Sequence, residues 1–245
     1  MQRSELGHGR DRFDRRAFCK RVGIAAAIGM AGASVGSVPA YADLTKEQRD
    51  KMTPDEIIQQ MKAGNERFRS GKAQHRDLVR EAKATAKGQY PAAIVFGCVD
   101  SRVPAEVVLD YGIGDIFSGR VAGNIADEDI MGSMEFACKA AGSKVVLVMG
   151  HTACGAIKGA IDDVKLGNLT ALLAKIRPAV EATQYSGERT AKNYAFVDAV
   201  ARKNVELTIA KIREQSPVLR ELESSGSIKI AGSMYNLETG VVDFL

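Results

Sequence analysis

AAIVFGCVDSR at residues 92–102 and KVVLVMGHTACG at residues 144–155 decide how this chain is read. Each opens with an uninterrupted aliphatic run rich in β-branched residues, the pattern of a strand buried on both faces of a parallel sheet. Each closes on a glycine followed by residues able to do chemistry. Residues 113–121, an apolar run with β-branched residues, are read as another buried strand, and a helical pattern at 129–141 separates it from the run at 144–150. Helical patterns also follow the third strand, at about 155–164, 170–180 and 193–215. Strands alternating with helices predict one α/β domain with a mostly parallel central sheet flanked by helices. Residues 227–234 and 240–244, joined by a turn at 236–240, predict an antiparallel edge strand near the C-terminus. Upstream, Thr53-Pro54-Asp55-Glu56 is a capping box that opens an amphipathic helix carrying Ile57, Ile58, Met61 and Phe68 to about residue 70. This helix is expected to form an N-terminal arm, and a polar stretch at 71–89 leads from it to the first strand.

Composition separates the N-terminus from the rest. Residues 1–42 hold seven Lys/Arg and three Asp/Glu, leaving 27 basic and 27 acidic of the chain's 34 and 30. The body is therefore neutral, which argues against nucleic-acid binding. In the tail, Asp14-Arg15-Arg16-Ala17-Phe18-Cys19-Lys20 precedes an Ala/Gly-rich run at 22–38 and then Pro39 and Ala40-Tyr41-Ala42. Basic region, weakly apolar run and small-residue site make a signal peptide, and the paired arginines resemble the twin-arginine export signal. The expectation is cleavage after Ala42, a periplasmic or otherwise extracytoplasmic protein of residues 43–245, and no stable membrane insertion. Cys98, Cys138 and Cys154 remain in that protein, an odd number that makes a poor disulfide scaffold.

The chemistry gathers where the first and third strands end, the edge at which ligands collect in open α/β sheets. Zinc takes Cys, His or carboxylate ligands, and a catalytic zinc keeps three from the protein and leaves one position open. Cys98 follows one strand, while His151 and Cys154 follow the other at a spacing that turns both to one point. Asp100, two residues beyond Cys98, is placed to be a fourth ligand or a group beside the metal. Each cysteine taken alone reads as a small core residue. His151 is the one histidine that ends an apolar run, since His8 lies in the tail and His75 in a polar stretch.

CVDSR and HTACG, with 52 residues between Cys98 and His151, resemble the zinc-binding signatures of the β-class carbonic anhydrases. The likeness extends through Gly64-Asn65-Glu66-Arg67-Phe68, Gly88-Gln89-Tyr90-Pro91, Gly114-Asp115-Ile116-Phe117, Ser133-Met134-Glu135-Phe136-Ala137, Gly232-Ser233-Met234-Tyr235 and Thr239-Gly240-Val241. The resemblance implies one Zn²⁺ held by Cys98, His151 and Cys154, and a pair of catalytic residues, Asp100 and Arg102. Bound zinc lowers the pKa of its water from about 15.7 towards 7. Arg102 is expected to hold the Asp100 carboxylate off the metal, so that Asp100 accepts a hydrogen bond from the hydroxide and aims it at CO₂. Gln89, Phe117 and Phe136 match positions on the substrate side. Gly155 is added as a place where a missing side chain allows close backbone approach. Cys138 reads as plain core.

The resemblance further implies reversible hydration of CO₂ to bicarbonate by a homodimer or dimer of dimers, with the N-terminal helix lying across the partner. Gln89 and the absence of tryptophan favour the form in which the zinc position stays open. Two rivals are weighed against this reading. One is hydrolysis of carbonyl sulfide or carbon disulfide on the same scaffold, and the other is a noncatalytic zinc protein closed by Asp100.

Overall fold

A computed structural model describes residues 44–245, so the expected signal segment lies outside the described residues. The centre is a five-stranded sheet of β1 (Ala93–Gly97), β2 (Ile116–Arg120), β3 (Val145–His151), β4 (Lys229–Tyr235) and β5 (Val242–Phe244), in the order β2-β1-β3-β4-β5. The first four strands run parallel, and β5 pairs antiparallel to β4 at the edge. The expected α/β domain with a mostly parallel sheet and an antiparallel edge strand is therefore observed.

Alternation along the strands feeds two cores. Ile94, Phe96, Val146 and Val148 pack on one face, while Ala93, Val95, Val145, Leu147 and Met149 pack on the other. That period of two is the pleat itself, and burial on both sides explains why neither 93–97 nor 145–150 contains a polar side chain. The first face is covered by α5 (Glu128–Glu135), α6 (Gly155–Ile161), α8 (Arg177–Ala182), α9 (Tyr194–Gln215) and α10 (Pro217–Ser224). The other is covered by α2 (Pro54–Arg69) and α4 (Ala105–Val108). The β1-to-β2 connection starts on one face, with Ala105 and Val108, and the β3-to-β4 connection on the other, with Ile157 and Ala160. Loops leaving the C-terminal ends of β1 and β3 therefore part in opposite directions and open a crevice between them.

The helix opened by Thr53 has the expected capping box with Glu56. Its apolar stripe covers the chain's own sheet. Ile57 and Met61 are fully buried in the chain's own core, so that stripe is not available to a partner. Asn65 pins the helix further: its amide donates to Val108 O and Gly240 O at 2.9 Å each, and its Oδ1 accepts from Val242 N–H. A short α1 (Lys46–Lys51) precedes it, anchored by Arg49 donating to Ala141 O.

Other boundaries moved for local reasons. The run at 113–121 pairs only over Ile116–Arg120, because Gly112 and Asp115 close a turn in which Gly112 N–H donates to Asp115 Oδ2 at 2.7 Å. The polar stretch at 71–89 contains α3 (Leu78–Thr85), capped by Asp77. The pattern at 170–180 is broken into α7 (Gly167–Ala174) and α8, since Pro178 lacks the N–H that a continuous helix needs there. The helix expected at 155–164 stops at Ile161, with Asp163 in the left-handed region. The pattern at 129–141 is an α-helix that widens into a π-helical turn at Phe136–Ala140. None of the described helices is long and apolar enough to cross a membrane.

Candidate metal centre

The crevice at the ends of β1 and β3 holds the three expected ligands. Cys98 and Cys154 are buried, His151 is fully buried, and the ligand atoms of all three lie within 4.8 Å of one another. The two Sγ atoms stand 4.0 Å apart. Two sulfurs at about 2.3 Å from a tetrahedral zinc would be roughly 3.8 Å apart, so the spacing needs almost no adjustment. His151 Nδ1 lies 2.9 Å from Thr152 O. A carbonyl can only accept, so Nδ1 carries the proton and Nε2 presents its lone pair. That Nε2 is buried and has no hydrogen-bond partner among the described residues. An orphaned acceptor facing two thiol sulfurs fits a thiophilic divalent ion, and the set of two cysteines and one histidine fits zinc.

Electrostatics around the sulfurs agree. Gly123 N–H donates to Cys98 Sγ at 3.3 Å. The bonds from Cys154 and Gly123, together with His151, pull the Cys98 thiol well below its ordinary range. Cys154 is pushed up, by its bond to Cys98 and by burial. Such a pair keeps one proton until a cation arrives to make both thiolates. Burial also raises the thiol of Cys138, to about 12, so it sits as an inert core residue, as expected.

Asp100 and Arg102 are paired as expected. Arg102 Nε donates to Asp100 Oδ1 at 2.9 Å and Nη2 to Oδ2 at 2.7 Å, and the Arg102 N–H adds a third bond to Oδ1 at 3.0 Å. The guanidinium, with the backbone bond, holds the Asp100 carboxyl far below the usual carboxylate range. Asp100 Oδ2 lies 4.0 Å from His151 Nε2, beside the point on which the three ligand atoms converge and not in it.

Four residues that the sequence reading did not single out build the surroundings. Arg120, the last residue of β2, donates from Nε to Cys98 O at 2.8 Å and from Nη2 to Asp100 O, fixing the path of the CVDSR loop. Its place at the end of a core strand, level with the ligands, was the signal that would have found it. Gly123 has φ +67, and a Cβ there would stand 2.6 Å from Ile176 Cδ1, so the turn that supplies its N–H requires glycine. Asn204 on α9 donates to Gly123 O at 2.7 Å. Asp198, also on α9, accepts from Ala153 N–H at 2.8 Å, and burial pushes its carboxyl above the ordinary value.

The substrate-side expectations fare unevenly. Phe117 and Phe136 meet edge to face with centroids 6.0 Å apart, and Phe117 packs on the core cluster that contains Cys98 and Cys154. Phe136 is 45% exposed, so it is not a core residue of the single chain. Among the described residues of the single chain, a Cβ at Gly155 would meet nothing within 4 Å, so that side of the turn is open space. Gln89 lies at the wrong end of β1 to reach the metal position in its own chain. Ser143 Oγ bonds Pro91 O, which fixes this segment at the N-terminal edge, while Cys98 follows the C-terminal end of a five-residue strand about 16 Å long.

Comparison with known proteins agrees with this geometry. A family model described as carbonic anhydrase matches residues 93–242. Carbonic anhydrase 2 of Mycobacterium tuberculosis is 36% identical over 186 residues, covering 74% of this chain and 87% of that protein. The carbonic anhydrase of Mycolicibacterium smegmatis is 31% identical over 189 residues, or 75% of this chain and 89% of its own length. Among solved structures, a tetrameric β-carbonic anhydrase of Sordaria macrospora superposes with a TM-score of 0.60 at 25% identity, over 77% of this chain and 96% of the other. The β-carbonic anhydrase CafA of Aspergillus fumigatus does so with a TM-score of 0.61 at 27% identity, over 77% and 90%. Parallel sheet, crevice ligands and these matches together place the chain in the β-class carbonic anhydrase family.

Proposed function

We propose that this chain catalyses the reversible hydration of carbon dioxide to bicarbonate and a proton, using one zinc ion held by Cys98, His151 and Cys154. The observation that carries this reading is the unpartnered His151 Nε2 facing two sulfurs while Asp100 is clamped by Arg102 beside them. Three protein ligands with the nearby carboxylate held away leave a fourth position for the reactants. Bound there, zinc would supply Lewis-acid activation of water and so a nucleophile near neutral pH.

The chain's own residues supply the rest. Asp100, ionised throughout the working pH range, can only accept a hydrogen bond. An acceptor beside the nucleophile fixes where its hydrogen points, and so turns a lone pair of the oxygen towards the carbon of CO₂. Arg102 keeps Asp100 in that role by occupying both carboxylate oxygens. This supports the open form, and it disfavours a noncatalytic protein in which Asp100 is a permanent ligand. Phe117 and Phe136 offer apolar surface for a substrate with no dipole.

Gln89 takes part only if a second copy brings it to the crevice, so the working unit is a homodimer or a dimer of dimers. Supporting this, Val99 and Val107, near the CVDSR loop, are each 55% exposed, and the relative from Sordaria macrospora is tetrameric. The segment 1–42, read as a twin-arginine signal cleaved near Ala42, would place the enzyme in the periplasm. A zinc centre built from buried thiolates suits export of an already folded, metal-loaded protein.

The test is metal analysis of the purified protein together with stopped-flow CO₂ hydration across pH. About one zinc per chain with fast hydration at neutral pH is the expected result. Zinc without hydration at any pH would overturn the catalytic reading.

A further inference from the structure

The turn that carries two of the ligands contains a residue in a conformation its side chain disfavours. Ala153, between His151 and Cys154, has φ +55, a left-handed backbone that alanine rarely adopts. Such a conformation persists only where the surroundings hold it. Two bonds act on its neighbour: Thr152 N–H donates to Tyr235 O, and Leu237 N–H to Thr152 Oγ1, each at 3.0 Å. The third is made by Ala153 itself, whose N–H donates to Asp198 Oδ1 at 2.8 Å. Asp198 reaches it because α9 packs tightly on the sheet. A Cβ at Gly150 would stand 2.7 Å from Val205 Cγ2, and one at Gly232 2.9 Å from Val205 Cγ1. Asn204, on the same helix, holds Gly123 O, and the Gly123 N–H meets Cys98 Sγ. One helix thus braces the turn that carries His151 and Cys154 and the Gly123 turn that donates to Cys98 Sγ.

We propose that Asp198 is a positioning residue for the metal centre: by accepting the Ala153 N–H it holds the turn in its left-handed shape, which directs His151 Nε2 and Cys154 Sγ to one point. If Ala153 relaxed to negative φ, the two peptide planes flanking it would rotate relative to each other, and Cys154 would swing away from His151. The inference rests on the carbonic anhydrase reading of the three ligands. It adds that their alignment is imposed from a helix 45 residues downstream and is not a property of the HTAC turn alone.

The experiment measures zinc affinity of the full chain by competition with a chromogenic chelator, and the visible spectrum of the cobalt-substituted protein. Asp198→Ala is expected to weaken zinc binding about 10- to 100-fold, the usual cost of losing a group that orients a ligand, and to shift the cobalt spectrum. Asp198→Asn retains most of the affinity, because its amide oxygen accepts the same N–H. Ala153→Gly in the Asp198→Ala background restores most of the loss, since glycine takes positive φ without steric cost. Should Asp198→Ala not fold, the same comparison is made with Asp198→Leu, which keeps the branched shape and lacks the acceptor. Wild-type affinity in Asp198→Ala, or a loss that Ala153→Gly leaves untouched, overturns the positioning role while the metal reading stands. A wild-type chain that binds no zinc overturns both.

Discussion

Adding one methyl group at Gly123 tests the tightest part of the site's support. The Gly123→Ala side chain must be carried at φ +67, which costs about 1–2 kcal/mol for an L residue. Its Cβ would also stand 2.6 Å from Ile176 Cδ1 and 3.2 Å from Ala156 Cβ. Ile176 is fully buried, so this crowding adds about 1–3 kcal/mol of overpacking. The sum, about 2–5 kcal/mol, would lower the melting temperature by very roughly 4–20 °C in a domain of this size. The two contributions separate in a double mutant. Ile176→Val removes Cδ1 and leaves the new methyl 3.5 Å from Ile176 Cγ1, an ordinary contact. Alone, Ile176→Val costs about 0.5–1.5 kcal/mol for the lost methyl. Combined with Gly123→Ala it should recover only the overpacking part of the loss, the left-handed strain and the 3.2 Å Ala156 contact remaining, which gives a favourable coupling of about 1–2 kcal/mol in urea unfolding of the zinc-loaded protein. Because the Gly123 N–H meets Cys98 Sγ, zinc affinity should fall in Gly123→Ala and recover in the pair. Additivity of the two substitutions within about 0.5 kcal/mol would refute the argument, since it would mean that the Ile176 methyl does not confront position 123.

Further outcomes follow from the same geometry. Arg102→Ala releases Asp100 from its clamp, so CO₂ hydration measured by stopped flow should fall steeply while zinc content stays near one per chain; unchanged turnover would remove the proposed role of the pair. Cys154→Ser should lose zinc, and with it the rise in melting temperature that added zinc gives the wild type; a serine variant stabilised equally by zinc would contradict the ligand set. Arg120→Ala should leave Cys98 O and Asp100 O without their donor and speed amide hydrogen exchange in residues 99–103, and exchange as slow as in the wild type would show that the loop holds itself. Glu223 is held below its ordinary value of 4.5 chiefly by Arg213, with which it makes two 2.8 Å bonds. A depressed carboxyl contributes stability above its unfolded pKa and loses it as pH falls through the folded one. The deficit of Arg213→Gln should accordingly be full above about pH 4.5 and shrink below it; a deficit that stays constant down to pH 3 would refute the assignment.

Much of this was legible without coordinates, because it is written in local pattern. Two-sided burial leaves unbroken aliphatic runs, and β1 and β3 were placed within a residue of their observed ends. Thr53 and Glu56 announced their helix because a capping box is satisfied within four residues. Cys98, His151 and Cys154 stood out because strands of a parallel sheet deliver their following residues to one edge. Asp100 and Arg102 lie two apart, so their pairing needed no knowledge of the fold.

What only the tertiary structure decided is carried by single contacts between distant segments. Gln89 and Cys98 are nine residues apart, yet a strand between them sets them at opposite edges of the sheet. The stripe of α2 reads the same whether it covers its own core or a partner's, and only the burial of Ile57 and Met61 assigns it. Asp198 meets Ala153 across 45 residues, and Asn204 meets Gly123 across 81. One hydrogen bond from one polar residue leaves no periodicity in the sequence, because its partner is set by how α9 packs on the sheet and not by spacing along the chain. The sequence alone thus determined the fold class and the metal ligands, whereas the structure determined what holds those ligands in line.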